Sequence, residues 1–240
     1  MTKLAILGYA GRMGQAIAQE IENGAQATLA AGLVVEGQPL PPERKGILVS
    51  TKPDEVIAAA EVLINFTLAD ATLALAELTA KHKKPFMTGV TGLSDNAVAA
   101  LKKLSQDIPI LYAPNTSVSL AVMKPVTALA AKLLRGFDYD ISILDEHHRM
   151  KQDSPSGTAK ALGEAILSGN GGTKQPAYAA VRAGAIVGEH EVAFVGQGEI
   201  IRLRHSVTDR AIFARGAVKA ALWLHGKPPG FYGMGDVIGL

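Results

Sequence analysis

Four apolar residues, Leu4–Leu7, run straight into Gly8-Tyr9-Ala10-Gly11-Arg12-Met13-Gly14, and no other feature limits the fold so sharply. A short strand that is apolar on both faces needs cover on both faces, which a parallel sheet between helices supplies. From Gly11 the pattern turns helical, with Met13, Ile17 and Ile21 at i, i+4 and i+8. The spacing G-x-x-G-x-x-G is a variant of the dinucleotide fingerprint. Its glycines let the backbone turn tightly and approach a pyrophosphate, and the helix N-terminus offers that anion free N–H groups. The same turn also serves as an ordinary strand–helix connection. Its place at the first strand of an alternating chain favours the cofactor reading.

The alternation continues. Thr28–Val34 reads as a second strand, Gly37–Pro42 as a loop and Ile47–Val49 as a short strand. Pro53-Asp54-Glu55 opens a helix, with Pro in the first turn and acids at the positive end of the dipole. Val62–Phe66, Phe86–Thr88 and Ile108–Tyr112 read as strands, and Ala69–Lys81 and Asp95–Leu104 as helices. Strand and helix in turn, with short connections, predict a doubly wound parallel sheet. Ligands of such sheets sit beyond the carboxyl ends of the strands. Gly89-Val90-Thr91-Gly92 and Ala113-Pro114-Asn115-Thr116-Ser117 are placed for the nicotinamide end of a cofactor, though each alone is common turn chemistry. Glu36, just past the second strand, is a candidate for the acid that holds an adenosine ribose.

After Asn115 the pattern changes. Val118–Leu134 reads as one long helix, Tyr139–Asp145 as a strand, Gly157–Leu167 as a helix and Ser168–Gly172 as a Gly-rich loop. Ala179–Ala183, Glu191–Val195 and Ile200–Ser206 then follow as strands with no helix between them. This predicts a second α+β domain with a mixed or antiparallel sheet. Ala211–Leu224 reads as a final helix that packs back on the first domain. The expected division is 1–115, completed by 211–240, and 116–210. The 240 residues suffice for this without staples. Lys plus Arg is 24 against 22 Asp plus Glu, and a net charge of +2 makes no case for nucleic acid or an acidic membrane. The absence of Cys excludes a disulfide scaffold, a thiolate metal site and a thiol nucleophile. No apolar run approaches the roughly 20 residues of a membrane span, and no leader pattern opens the chain. The expected compartment is the cytoplasm.

The densest chemistry is Glu146-His147-His148-Arg149-Met150-Lys151-Gln152-Asp153-Ser154-Pro155-Ser156-Gly157-Thr158-Ala159. Basic or titratable side chains crowd positions 147 to 151 and lead into a helix start. There Ser156, Gly157 and Thr158 offer N–H groups and hydroxyls to a carboxylate. His and Lys also deliver protons when their pKa values are tuned. Alone, such a run is a solvated charged loop with a helix cap; after a dinucleotide-binding domain it reads as a site for a small polyanion. The sequence has no H-E-x-x-H, so no metal is expected, and Ser156 lacks the G-x-S-x-G setting of a nucleophile.

Together these residues resemble the 4-hydroxy-tetrahydrodipicolinate reductase family of lysine and diaminopimelate biosynthesis. Glu146–Ala159 is similar to that family's E-x-H-H-x-x-K-x-D-x-P-S-G-T-A signature. Gly8–Gly14, Gly89–Gly92, Ala113–Ser117, Val181-Arg182-Ala183-Gly184 with Gly188-Glu189-His190, and Gly216-Ala217-Val218 match in family order across nearly the whole chain. The resemblance implies a Rossmann-like first domain and a reductase that uses NADPH or NADH on a cyclic dicarboxylate. It also implies a homotetramer built through the second domain. His147 would be a proton donor or acceptor and Lys151 a proton donor. His148, Ser156, Gly157 and Thr158 would bind substrate, with Arg210 on a substrate carboxylate. Gly8, Tyr9, Ala10, Gly11, Arg12, Met13, Gly89, Val90, Thr91, Ala113, Pro114, Asn115 and Thr116 would hold the cofactor. Val34-Val35 stands where the family often carries an acid and a base, and Leu68 where it often has Arg. Ala10 and Val90 are smaller departures. The Val34-Val35 and Leu68 departures bear on nucleotide preference and leave the reaction untouched. Two rivals compete with this reading, another two-domain dehydrogenase and a nucleotide-sensing module. The His-His-x-x-Lys run argues against the first, and the second leaves Glu146–Ala159 unexplained.

Overall fold

A computed structural model describes residues 1–24, 26–41 and 44–240; Pro42, the end of the expected 37–42 loop, lies outside the described residues. The chain divides into unit 1, Met1–Thr116 with Ala211–Leu240, and unit 2, Ser117–Arg210. Unit 1 begins with β1 (Thr2–Leu7), α1 (Arg12–Asn23), β2 (Ala27–Leu33), β3 (Leu48–Ser50), α2 (Pro53–Ala58), β4 (Val62–Asn65), α3 (Ala69–Lys81), β5 (Phe86–Thr88), α4 (Asp95–Leu104) and β6 (Pro109–Tyr112). Unit 2 holds α5 (Val118–Leu133), β7 (Asp140–His147), α6 (Gly157–Asn170), β8 (Ala177–Arg182), β9 (Glu189–Val195) and β10 (Ile200–Ser206). The chain then returns to unit 1 with α7 (Ala211–Leu224), β11 (Gly230–Tyr232) and α8 (Met234–Val237).

The seven strands of unit 1 lie in the order β11-β6-β5-β4-β1-β2-β3, and every neighbouring pair is parallel. Strand order reverses beside β1, which is where sheets of this kind open a crevice at their carboxyl ends. Leu4–Leu7 are wholly buried, as a central strand covered on both faces requires. Helix α7 packs on α1, β4, β5 and β6 with Ala214, Gly216, Ala217, Ala220 and Ala221. These small residues let the helix come close. A Cβ on Gly216 would collide with the Thr116 carbonyl. Strand β11 then pairs with β6, and Trp223 and Tyr232 meet edge to face at 5.3 Å. Neither β11 nor α8 is anticipated by the sequence, because both lie in the Gly- and Pro-rich stretch 226–239, which reads as turns.

The sheet of unit 2 runs β10-β9-β7-β8, with β7 parallel to β8 and the other pairs antiparallel, so it is mixed. Helices α5 and α6 cover one face, on a core that includes Leu120, Met123, Leu162, Ile166, Ile141, Ile143, Val192 and Phe194. The opposite face carries Ser142, Leu144, Ala177, Ala179, Val181 and Ala193 among Arg–Glu pairs. Two expectations need correction here. Ser168–Asn170 are the last residues of α6, not loop, and the αL cap falls at Gly171. Gly169 serves helix packing, because its Cβ would strike the Ala128 carbonyl of α5. Strand β7 also continues past Asp145 to His147, which decides the site.

Candidate active site

In unit 1 the candidate residues follow the carboxyl ends of β1, β5 and β6, with β4 between the first two. The turn after β1 is pinned by Tyr9 N–H donating to the Leu33 carbonyl at 2.9 Å and Gln15 Nε2 donating to the Tyr9 carbonyl at 2.7 Å. Gly8 has φ +90°, and a Cβ there would lie 2.7 Å from the Phe66 carbonyl oxygen. A Cβ on Gly14 would lie 2.6 Å from the Tyr9 carbonyl oxygen. Gly11 caps α1 without any side-chain cap, and the first turn holds no acid. Its N–H groups are thus left for an anion, which fits a pyrophosphate. Buried Asn65 at the end of β4 donates from Nδ2 to Thr72 of α3 and Thr88 of β5, and its side-chain Oδ1 accepts from the Thr67 hydroxyl. Gly89 N–H donates to the Asn65 carbonyl, and the ring of Phe66 fills the place of a side chain at Gly89. Val90 and Ala113 are buried, Thr91 and Pro114 exposed, and Thr116 Oγ1 donates to the Phe213 carbonyl. Arg44 donates to Glu22, Gln15 and the Tyr9 hydroxyl, so a cation sits on the glycine turn. Val35, Glu36 and Leu68 are exposed.

In unit 2 the inner face of the sheet changes character at one end. On β7 it reads Ile141, Ile143, Asp145, His147; on β9, Phe194, Val192, His190; His205 of β10 pairs with His190. Asp145, His147, His190 and His205 are all buried. Asp145 Oδ2 accepts from Ser156 N–H at 2.7 Å and from Arg182 Nη2 at 2.9 Å. Its Oδ1 lies 2.9 Å from His147 Nδ1 and 3.4 Å from His190 Nε2. Two serines at helix N-caps meet the imidazoles: Ser156 of α6 lies 3.2 Å from His190 Nε2, and Ser117 of α5 lies 3.2 Å from His205 Nε2.

Electrostatics follow from this layer. Burial would raise the Asp145 carboxyl, but the Arg182 guanidinium and the Ser156 N–H hold it below the usual carboxylate range. Burial pushes His190 down to about 4, with His147 beside it acting the same way. Burial also lowers His147 and His205. The imidazoles therefore rest neutral. Asp145, His147 and His190 offer ligand-type atoms within 4.8 Å of one another. Arg182 supplies a positive charge to Asp145, so the carboxylate of the trio is charge-balanced by a side chain of this chain.

The structure gathers His147, Ser156 and the start of α6 around Asp145. Lys151 is partly exposed and ion-paired with Asp153 at 2.7 Å. Its loop is tied back by Lys151 N–H donating to the His148 carbonyl and by Arg182 Nη2 donating to the Asp153 carbonyl. His148 is half-buried, Gly157 exposed and Thr158 half-buried, while Arg210 is exposed at the end of unit 2. Asp145, Arg182, His190 and His205 are missing from the sequence-derived set of site residues. Counted back from His147, the acid of the E-x-H-H pattern falls on Asp145. Glu146 points to the open face, 3.8 Å from Arg204.

Comparison with known proteins finds likeness along nearly the whole chain. Residues 2–116 match the model for the dihydrodipicolinate reductase N-terminus, and residues 119–238 that for the C-terminus. The 4-hydroxy-tetrahydrodipicolinate reductase of Hahella chejuensis is 38% identical, covering 100% of both chains. That of Desulfotalea psychrophila is 39% identical over 100% of this chain and 99% of its own. The dipicolinate-bound dihydrodipicolinate reductase of Paenisporosarcina sp. TG-14 superposes with a TM-score of 0.87 at 22% identity, covering 98% and 99% of the two chains.

Proposed function

The chain belongs to the dihydrodipicolinate reductase family, and we propose that it reduces 4-hydroxy-tetrahydrodipicolinate to tetrahydrodipicolinate with NADPH or NADH. The observation that carries this is the cluster of His147, Ser156 and Asp145 at the start of α6, in a chain whose first unit ends β1 in an uncapped glycine turn. The residues fit a nicotinamide dinucleotide. Gly8, Tyr9, Ala10, Gly11, Arg12 and Met13 would hold its pyrophosphate, and Gly89, Val90, Thr91, Ala113, Pro114, Asn115 and Thr116 would line its nicotinamide end. When bound, the reduced nicotinamide supplies a hydride, and with one proton taken up and the 4-hydroxyl lost as water the ring gains two electrons.

The other parts belong to this chain. His148 and Arg210 supply positive or hydrogen-bonding groups to the two carboxylates. Ser156, Gly157 and Thr158 receive a carboxylate at the N-terminus of α6, whose first turn holds no acid of its own. His147 and Lys151 are the proton sources, and a placed acid of this kind is worth roughly 10²–10⁴-fold. Among the described residues no helix is long and apolar enough to cross a membrane. We place the reaction in the cytoplasm, in keeping with a chain that has no Cys. The deciding assay follows NADH or NADPH consumption with and without the product of the preceding aldolase-type synthase. No substrate-dependent oxidation would overturn the reading.

The same assay tests nucleotide preference. A 2′-phosphate wants a cation past β2 and a free 2′-hydroxyl wants a carboxylate. Val34 and Val35 supply neither, Glu36 repels a phosphate, and Arg44 is engaged with Glu22 at 2.8 Å. NADH and NADPH are expected to differ in kcat/KM by no more than about tenfold, or about 1.4 kcal/mol. A thousandfold preference would show that one of these residues contacts the ribose after all.

Assembly is the remaining part of the proposal. The open face of the unit 2 sheet sets Leu144, Val181 and small residues beside the Arg202–Glu191 and Arg204–Glu189 pairs. Such a face suits a second copy turned about a two-fold axis, with apolar matter inside and charges at the rim. Light scattering is expected to give four times the 25.1 kDa protomer. A monomer at micromolar concentration would count against it.

A further inference from the structure

We propose that Asp145 is the positioning residue of this site. One of its carboxylate oxygens keeps the proton on His147 Nδ1, so that Nε2 is the atom that exchanges a proton with substrate. The other holds the turn that presents Ser156, Gly157 and Thr158. The inference rests on the reductase reading above for its role in the reaction.

Geometry divides the carboxylate into two halves. Oδ2 is filled by Ser156 N–H at 2.7 Å and Arg182 Nη2 at 2.9 Å. The same guanidinium reaches the Asp145 carbonyl at 3.0 Å and the Asp153 carbonyl at 2.7 Å. Asp145 and Arg182 thereby fasten both ends of the segment from Asp153 to Ser156, and the start of α6 cannot shift without breaking them. Oδ1 faces the imidazoles. His190 Nε2 has the Ser156 hydroxyl as partner at 3.2 Å, which leaves Oδ1 to His147 Nδ1 at 2.9 Å. The Nδ1–H is not aligned on Oδ1, so the carboxylate acts on it as a charge. A carboxylate beside one ring nitrogen holds the proton there and frees the other nitrogen for exchange.

Gly188 marks which nitrogen is free. A Cβ built at Gly188 would stand 3.1 Å from His147 Nε2 and 3.4 Å from Cδ2, and its nearest neighbours are atoms of that ring. Its backbone is outside the left-handed region, so conformational freedom does not require glycine there. What it provides is room over Nε2. His147 first takes one proton from solvent on Nε2 and becomes the imidazolium; in the proton step that Nε2–H bond breaks, a bond to the substrate ring forms, and His147 returns to the neutral state with its proton on Nδ1. Asp145 stays ionised throughout.

The sign of the pH effect follows. The groups acting on His147 are Asp145 on its own strand, Lys151 and Asp153 from the loop, Arg182 on β8 and His190 on β9. Burial, Lys151 and Arg182 lower His147, while Asp145 and Asp153 raise it. Removing the Asp145 charge lowers it further. A step that needs protonated His147 then fails at lower pH, so the descending limb of kcat/KM moves down in pH.

The experiment compares wild type with Asp145→Asn, Asp145→Glu and Gly188→Ala, using kcat/KM across pH, thermal unfolding, cofactor affinity, and ¹⁵N shifts of the His147 ring. Asp145→Asn is expected to lose roughly 10²-fold in kcat/KM, with its limb at lower pH, a higher substrate KM and unchanged cofactor affinity. Asp145→Glu should return the limb to the wild-type pH. Gly188→Ala should lose at least roughly tenfold in kcat with an unchanged unfolding temperature. A folded Asp145→Asn with the wild-type limb overturns the proposal, and so does Gly188→Ala at full kcat. If Asp145→Asn does not fold, Gly188→Ala decides alone. If wild type shows no substrate-dependent activity, the reductase reading fails. The ring shifts of wild type and Asp145→Asn then decide this proposal separately: an Nδ1–H tautomer lost in the variant supports it, and an unchanged tautomer overturns it.

Discussion

Replacing Lys151 by alanine is expected to lower kcat by roughly 10²-fold or more while cofactor affinity stays near wild type. The structure holds Lys151 Nζ against Asp153 at 2.7 Å on a loop fastened at both its ends. An exposed ion pair is worth at most about 1 kcal/mol, so a purely structural lysine would leave the rate within about fivefold. A proton donor would not. Lys151→Arg separates charge from proton delivery, since a guanidinium keeps the first and cannot give up a proton at neutral pH. Near-normal kcat in Lys151→Ala would remove Lys151 from the mechanism. The same comparison applies to His147.

Gly14→Ala is expected to raise the KM for cofactor at least tenfold and to destabilise the protein by about 1–3 kcal/mol. The added methyl meets the carbonyls of Gly8 and Tyr9, which are backbone atoms of the turn itself. No side chain can rotate away to make room. The turn must open, and with it the N–H groups that end at Gly11 and the start of α1. Urea unfolding and cofactor titration read the two effects separately. Unchanged cofactor KM would mean that the turn is only a connection between β1 and α1.

The helices Ala69–Lys81, Asp95–Leu104 and Ala211–Leu224 are bounded in the structure where the sequence puts them. Their ends carry local chemistry. Ser94 caps α4 by accepting from Ala97 N–H, and Lys81 stands at the negative end of α3. The start of α6 was legible for the same reason, as was the concentration of basic groups before it. What the local sequence could not show is pairing. Arg182 and His190 meet Asp145 only because β8 and β9 flank β7 on opposite sides. Asp145 had a usable signal in the alternation Ile141, Ile143, Asp145, His147, which becomes visible once β7 is carried to His147. Ending the strand at Asp145 hid it. Gly169 failed differently: a glycine near a helix end reads as a breaker, whereas here the approach of α5 requires it.

Unit 1 is split in sequence, and its last segment brings α7 against β4, β5 and β6 and adds β11 at the edge. During synthesis the first 116 residues leave the ribosome without the helix that packs on β4, β5 and β6. Unit 2 is contiguous, and its 94 residues are all made before α7 begins. The order of emergence lets unit 2 fold first, while unit 1 waits, with apolar strands uncovered, for the chain to return. A nascent chain stalled before Ala211 would therefore expose the sheet around β5 and β6 to chaperones and proteases, while Ser117–Arg210 resists them.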